Sequence, residues 1–216
     1  MTTYTWPTPA PGNAFWQSQI SLGFVQNQMV TVSLLSGAHQ TVTLPGARLR
    51  AQVTFPPQSY ALRADLEAFL TRISGMEHRI AMWDHSRPNP RGTIAGGAPW
   101  TGVTAGAAAQ FATTLVLSGA VGTNTIKAGD WLRLTLTNGL FQLLQTTQDF
   151  TASSGVITMT DGIRPALRSA CSAGAAVLLD KPTALFVINE RDGLMIPKGP
   201  GGVCPEFTIE LVELFS

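Results

Sequence analysis

The residues best placed to do chemistry close the stretch YALRADLEAFLTRISGMEHRIAMWDHSRPNPRG, Tyr60 to Gly92. Trp83, Asp84, His85 and Arg87 bring a carboxylate, an imidazole and a guanidinium close together along the chain. Such a set would suit acid–base catalysis, provided the imidazole and the carboxylate meet. Neighbours on an extended chain point to opposite faces, so Asp84 and His85 pair only if the backbone bends sharply between them. Asp, His, Ser, Pro and Asn are also ordinary turn residues. The segment is therefore read as a polar connector, with Asp84 and His85 dispensable for assembly.

Other chemistry is sparse. His39 sits in a predicted hairpin turn and His78 follows a predicted helix, so the three histidines share no metal-ligand spacing. No carboxylates are paired in the way glycoside hydrolysis needs. GPGGVC, residues 199–204, lacks the Lys-Ser/Thr of a phosphate loop. Neither Gly-x-Ser-x-Gly nor His-Glu-x-x-His occurs. The expectation is a non-enzyme with no catalytic residues, no cofactor and no metal. Cys171 and Cys204 are read as two thiols of a reducing compartment, with a structural disulfide as the alternative.

Composition narrows the class further. Of 216 residues only 12% are charged, about half the usual share, and the net charge is +1. No Lys/Arg cluster would condense onto phosphates, so tight nucleic-acid binding is not expected. No apolar run approaches a membrane span, and MTTYTWPTPAPGNAFW lacks the features of a signal peptide. A weakly charged surface loses little ionic hydration when packed against neighbours.

The elements that would position these residues are mostly strands. MVTVSLLSGAHQTVTLPG alternates as a hairpin around SGAHQ. RLRAQVTF then places Leu49, Ala51, Val53 and Phe55 on one face, and Pro56-Pro57 stops it. A helix is predicted over 60–74. Ser59 is its N-cap, Leu62, Leu66, Phe69, Leu70 and Ile73 form its apolar stripe, Arg63 lies off that stripe, and Gly75 ends it. HRIAMW follows as a strand.

Beyond SRPNPRG the chain turns to Gly, Ala and Thr, then to short strands at close spacing: FATTLVL, GDWLRLT, LFQLLQT, GVITMT and AAVLLD. These suggest a small barrel or sandwich. TALFVINE and FTIELVEL return to longer alternation, with Phe207, Ile209 and Leu211 on one face. Residues 1–92 carry seven basic and four acidic groups, and 181–216 carry three and five. The outer segments thus balance each other if their strands pair. The expected architecture is mainly β: a β-sandwich domain of 1–92 plus 181–216 with one α-helix, interrupted by an inserted β-barrel-like domain of 93–180.

The Pro-rich N-terminal arm is different in kind. Its aromatics avoid water either by packing on their own domain or by packing on a neighbouring subunit. Tyr4, Trp6, Pro7, Phe15 and Trp16 are accordingly candidate interface residues, because such rings dominate interface energetics.

The order of pieces carries a resemblance. The Pro-rich arm leads to SLLSGAHQTVTLPGARLRAQVTF, then the helix ADLEAFLTRISG and RIAMWDH. KAGDWLRLTLTNGLFQLL, GVITMTDGIRPALR and the closing TALFVINE follow. This resembles the distal tail proteins of long-tailed bacteriophages, over most of the chain and by pattern more than by a tight motif. The resemblance implies a belt-like β-sandwich domain forming a six-fold ring between the tail tube protein and the baseplate hub protein, with a channel for DNA. It further implies a virion protein of the phage tail, assembled in the host bacterial cytoplasm. Many family members carry the second domain at the C-terminus, whereas here it reads as inserted. Some carry carbohydrate-binding domains there. The alternative function is accordingly a host-surface glycan-binding module, with Trp100 and Trp131 as its ligand platform.

Overall fold

The computed structural model describes residues 2–7, 10, 12–33, 36–73, 77–92, 102–119, 124–189, 195–199, 202–214, with backbone alone at 43–45. They form two compact units, Met1–Val25 with Arg48–His85 and Leu185–Ser216, and Gln26–Ala47 with Ser86–Ala184. The chain first makes β1 (Thr3–Thr5), β2 (Gln19–Val32), β3 (His39–Phe55), β4 (Gln58–Ser59), the helix α1 (Tyr60–Arg72) and β5 (Arg79–Met82). Short strands follow: β6 (Thr104–Ala105), β7 (Leu115–Ser118), β8 (Thr125–Ile126), β9 (Trp131–Thr135) and β10 (Phe141–Thr146). Then come β11 (Phe150–Thr151), β12 (Val156–Met159), β13 (Ile163–Arg164) and β14 (Ala175–Leu178). The last are β15 (Ala184–Ile188), β16 (Val203–Cys204) and β17 (Phe207–Glu213). The fold is mainly β, a sandwich-like sheet with one helix plus a nearly closed, barrel-like sheet.

The first unit is built on a six-stranded sheet in the order β1-β5-β15-β17-β3-β2, of which the outer parts of β2 and β3, within Gln26–Ala47, are grouped with the second unit. Its centre follows from period-two alternation. Leu49, Ala51, Val53 and Phe55 are buried on one face of β3, and Phe207, Ile209 and Leu211 answer them from β17. The antiparallel register sets Phe55 against Phe207, Val53 against Ile209 and Ala51 against Leu211. The two Phe rings stack with centroids 5.0 Å apart. β1 pairs in parallel with β5, so the start of the chain is tied into the sheet.

The helix covers this core with the predicted face, changed at its first turn. Leu66, Leu70 and Ile73 are buried as expected, but Leu62 is exposed and Arg63 is fully buried. Positions 63, 66, 70 and 73 follow the three-four-three spacing of one helical stripe. Two partners from the end of the chain hold Arg63 there. One guanidinium nitrogen donates to the Pro205 carbonyl at 2.8 Å, and the group lies 4.2 Å over the Phe207 ring. Burial lowers the pKa of this guanidinium, opposed by Cys204 and Glu67. The helix ends at Arg72 with Ile73 as C-cap, and Ser59 occupies the N-cap position without a side-chain cap bond. Gly75, expected to end the helix, lies outside the described residues.

The second unit holds a seven-stranded sheet in the order β12-β7-β6-β14-β9-β10-β13, with β11 paired to β8. Alternate residues of these strands fill its interior, among them Leu115, Leu117, Leu132, Leu134, Ile157 and Met159. No described helix is long and apolar enough to cross a membrane.

Candidate functional site

The residues that drew attention first are not arranged as a solvated connector. Trp83 and Asp84 are buried, and the His85 ring sits 4.6 Å from the Trp83 ring. Gln17 Nε2 lies 3.2 Å from His85 Nδ1. Burial pushes the His85 pKa down, and the Asp84 carboxylate pulls it back up. With the amide donating to Nδ1, the imidazole is neutral and its proton lies on Nε2, which is itself buried. Asp84 is buried and His85 half-buried, so both are packed more closely than a fully solvated turn would be. The half-buried imidazole has its Nδ1 taken by the Gln17 amide.

The rest of that segment is tied down within the second unit. Arg87 donates to the Gly129 carbonyl at 2.9 Å. The buried Asp130 carboxylate accepts from the backbone of Lys127 at 2.8 Å and of Arg91 at 3.0 Å, and from Arg91 Nε at 3.3 Å. SRPNPRG is a strap anchored to the turn before β9.

The aromatic arm divides. Trp6 is fully buried in its own unit, with ring centroids 5.7 Å from Phe69, 6.2 Å from Phe55 and 6.3 Å from Phe15. Phe15 joins the same cluster at 5.2 Å from Phe69. Tyr4 packs edge-on to His78 at 5.5 Å, beneath the Arg72 guanidinium. Pro7 is half-buried. Trp6, expected at an interface, is therefore core, because β1 pairs with β5 and carries the ring under the helix. Trp16 alone among these candidates leaves a large ring exposed, at 44%.

The sugar platform fares similarly. Trp131 is 4% exposed and offers no face to a ligand, with the Arg87 guanidinium 5.8 Å from its ring. Trp100 lies outside the described residues. Both cysteines are free and buried, and burial raises the Cys171 pKa. Among the described residues no group of three His, Cys, Asp or Glu could hold a metal ion.

The feature that does stand open is the hairpin of β2 and β3. Met29 is 61% and Val30 55% exposed, and Val25, Val32 and Val42 are exposed as well. Ser33 N–H donates to the Ala38 carbonyl at 2.9 Å and Gly37 N–H to the Ser33 carbonyl at 2.9 Å, with Gly37 at φ +65°. These bonds close the turn. The ladder alternation that follows from the Ser33 bond sets Met29 across from Val42 on one face and puts Val30 and Val32 on the other. Both faces therefore carry uncovered apolar side chains. At the base, Ser18 N–H donates to the Thr54 carbonyl, which leaves β3 one residue longer than β2 between the two bonds. That is the count of a β-bulge, and Gly46 at φ +105° has the backbone such a bulge asks for.

The hairpin is also without charge. The first Lys, Arg, Asp or Glu of the chain is Arg48, so the arm, all of β2 and the outer part of β3 contain none. Soluble proteins protect long edge strands with charges, prolines or covers. Here the 14-residue β2 forms one border of the sheet and bears no charge at all. Sequence reasoning placed the hairpin but missed this, although the signal was a simple count. Compared with known proteins, the chain matches no family model and no curated protein.

Proposed function

We propose that the chain is a structural protein of a bacteriophage tail, forming a homo-oligomeric ring at the distal end. In this reading the ring, a hexamer, joins the tail tube protein to the baseplate hub protein and leaves a channel for DNA. The chain acts by geometry and not by catalysis, and it resides in the virion after assembly in the host cytoplasm. One observation carries the reading: a long, uncharged hairpin with apolar side chains uncovered on both faces. An isolated two-stranded ribbon is marginal in water, and this one has neither a cover for its apolar side chains nor charges to keep copies apart. A closed ring covers such a ribbon without leaving an edge to propagate. The weak charge of the whole chain fits a part that spends its working life packed. Light scattering on the purified protein, with negative-stain images of the same fraction, tests the reading. Closed rings with a central hole are expected, whereas a monomer at every concentration, alone and with tube or hub protein added, refutes it.

A further inference from the structure

We infer that Asn138, in the turn between β9 and β10, is a site of spontaneous covalent modification that the folded turn holds shut. The modification is loss of ammonia from the side chain, and its only co-reactant is water.

The chain has six asparagines, and Asn138 alone is followed by glycine. Glycine has no Cβ to shield its own nitrogen, so in an open chain Gly139 N can reach Asn138 Cγ. The N–Cγ bond then closes a five-membered succinimide. The proton of Gly139 N–H passes through water to Nδ2, the Cγ–Nδ2 bond breaks, and ammonia leaves. Water opens the ring at either carbonyl. One product is aspartate. The other is isoaspartate, whose main chain runs through Cβ and Cγ and is longer by a methylene. Both put a carboxylate where the turn had an amide.

Burial does not protect this site, because Thr137, Asn138 and Gly139 are all exposed. Hydrogen bonds do. Leu136 N–H donates to the Leu140 carbonyl at 2.8 Å and Gly139 N–H to the Leu136 carbonyl at 2.9 Å, with Gly139 at φ +77°. This is a three-residue hairpin loop, a type I turn followed by a left-handed glycine. Both reacting groups are engaged in it. Leu136 holds the hydrogen of the attacking nitrogen, and Asn138 Oδ1 accepts from Leu140 N–H at 3.1 Å. Thr137 ties the loop from outside, its N–H and Oγ1 donating to the Ala170 carbonyl at 3.1 and 3.0 Å. The turn must therefore open locally before the ring can close, and the rate follows the population of the open turn.

The position gives the reaction a consequence. The loop sets the register of β9 with β10, from Thr135 against Phe141 to Trp131 against Gln145. That register sends Leu132, Leu134 and Leu144 into the core of the second unit. An extra methylene in the loop spoils the length that fixes the register. A chain modified while unfolded thus returns with a turn that no longer fits, so time spent unfolded leaves a lasting mark at one position.

The test holds the full chain in mildly alkaline buffer, with and without enough guanidinium chloride to unfold it, and digests samples with trypsin over time. Trypsin passes Arg164 because Pro165 follows, so the peptide is 134–168, with Asn138 as its only asparagine. Mass spectrometry reads the exchange of amide for acid, and chromatography separates the two acid forms. Conversion is expected in denaturant, and roughly tenfold or more slower in buffer. Isoaspartyl chains purified from the denatured sample are then refolded beside Asn138→Asp, which carries the charge without the methylene. The isoaspartyl chains are expected to unfold at lower denaturant than Asn138→Asp. No conversion at Asn138 in denaturant overturns the site. Equal rates in both conditions overturn its protection by the turn, and equal unfolding midpoints overturn the effect on register.

Discussion

Replacing Trp6 with alanine tests the placement of the arm. Trp6 is fully buried and is ringed by Phe15, Phe55 and Phe69. Truncation to alanine exposes or empties about 150 Å² of apolar surface, worth about 4 kcal/mol at roughly 25 cal/mol per Å². The lost edge-to-face contacts with Phe15 and Phe69 add to this, and collapse of the site subtracts from it, so about 3–5 kcal/mol is expected. For a cooperative unit the size of the whole 216-residue chain that lowers the melting temperature by about 6–20 °C, and by more if the first unit melts alone. The assay is urea unfolding of parent and Trp6→Ala, followed by tryptophan fluorescence at two protein concentrations tenfold or more apart. If the arm belongs to its own core, the loss is the same at both. A loss below about 1 kcal/mol, or one that grows on dilution, refutes the placement, because only a ring shared between subunits depends on concentration. Trp6→Phe sharpens the case. The Trp6 Nε1 is buried without a partner, so phenylalanine removes an unsatisfied donor worth about 1–3 kcal/mol while giving up volume, and the net change is small.

Three further outcomes follow from the same structure. Arg63→Met keeps the length of the side chain and removes a buried charge, so unfolding stability stays level or rises, whereas Arg63→Ala loses about 3 kcal/mol by urea titration. Asp130→Ala leaves the Lys127 and Arg91 backbone N–H groups and Arg91 Nε without their acceptor, which costs the second unit about 3 kcal/mol in the same assay, and Asp130→Asn costs less. His85, held neutral by burial, has a folded-state pKa below the unfolded value of about 6.5. The unfolded state therefore takes up the proton first. Stability is full above that pH and declines as pH falls below it, by at most about 1.4 kcal/mol per pH unit, and His85→Gln flattens the decline in midpoints measured from pH 7.5 to 5.5.

The parts legible in the sequence are those whose pattern one chain satisfies alone. Leu49, Ala51, Val53 and Phe55 alternate because their face is buried within the same chain, and the partner strand from Phe207 shows the same pattern. The helix was legible as a helix and so was most of its stripe, but at its first turn Arg63 is buried where Leu62 was expected. Charge argued against burying Arg63, and what holds it, the Pro205 carbonyl and the Phe207 ring, lies at the far end of the chain. Trp131 shows the same limit from the other side, since an aromatic reads alike as a core residue or a platform until its neighbours are known. β3 runs unbroken through Pro45 and Gly46, where the sequence suggested two strands. Proline breaks a strand only if its N–H was needed, and at this position it faces outward. The hairpin alternation was legible too, but alternation implies one covered face, and here Val30 and Val32 on one side and Met29 and Val42 on the other are all exposed.

The absence of charge before Arg48 also governs how the protein can be followed by digestion and mass spectrometry. Trypsin cuts after lysine or arginine, and the chain offers neither until Arg48. The arm, β2 and the outer part of β3 therefore leave as one long peptide whether the hairpin is open in solution or sealed between copies. Tryptic footprinting is blind to the exposed hairpin, and glutamate- or lysine-specific enzymes share the defect. An enzyme cutting beside aromatic or large aliphatic residues has Phe24, Met29 and Leu44 to work on. With such an enzyme, protection of the hairpin becomes a direct readout of packing between subunits.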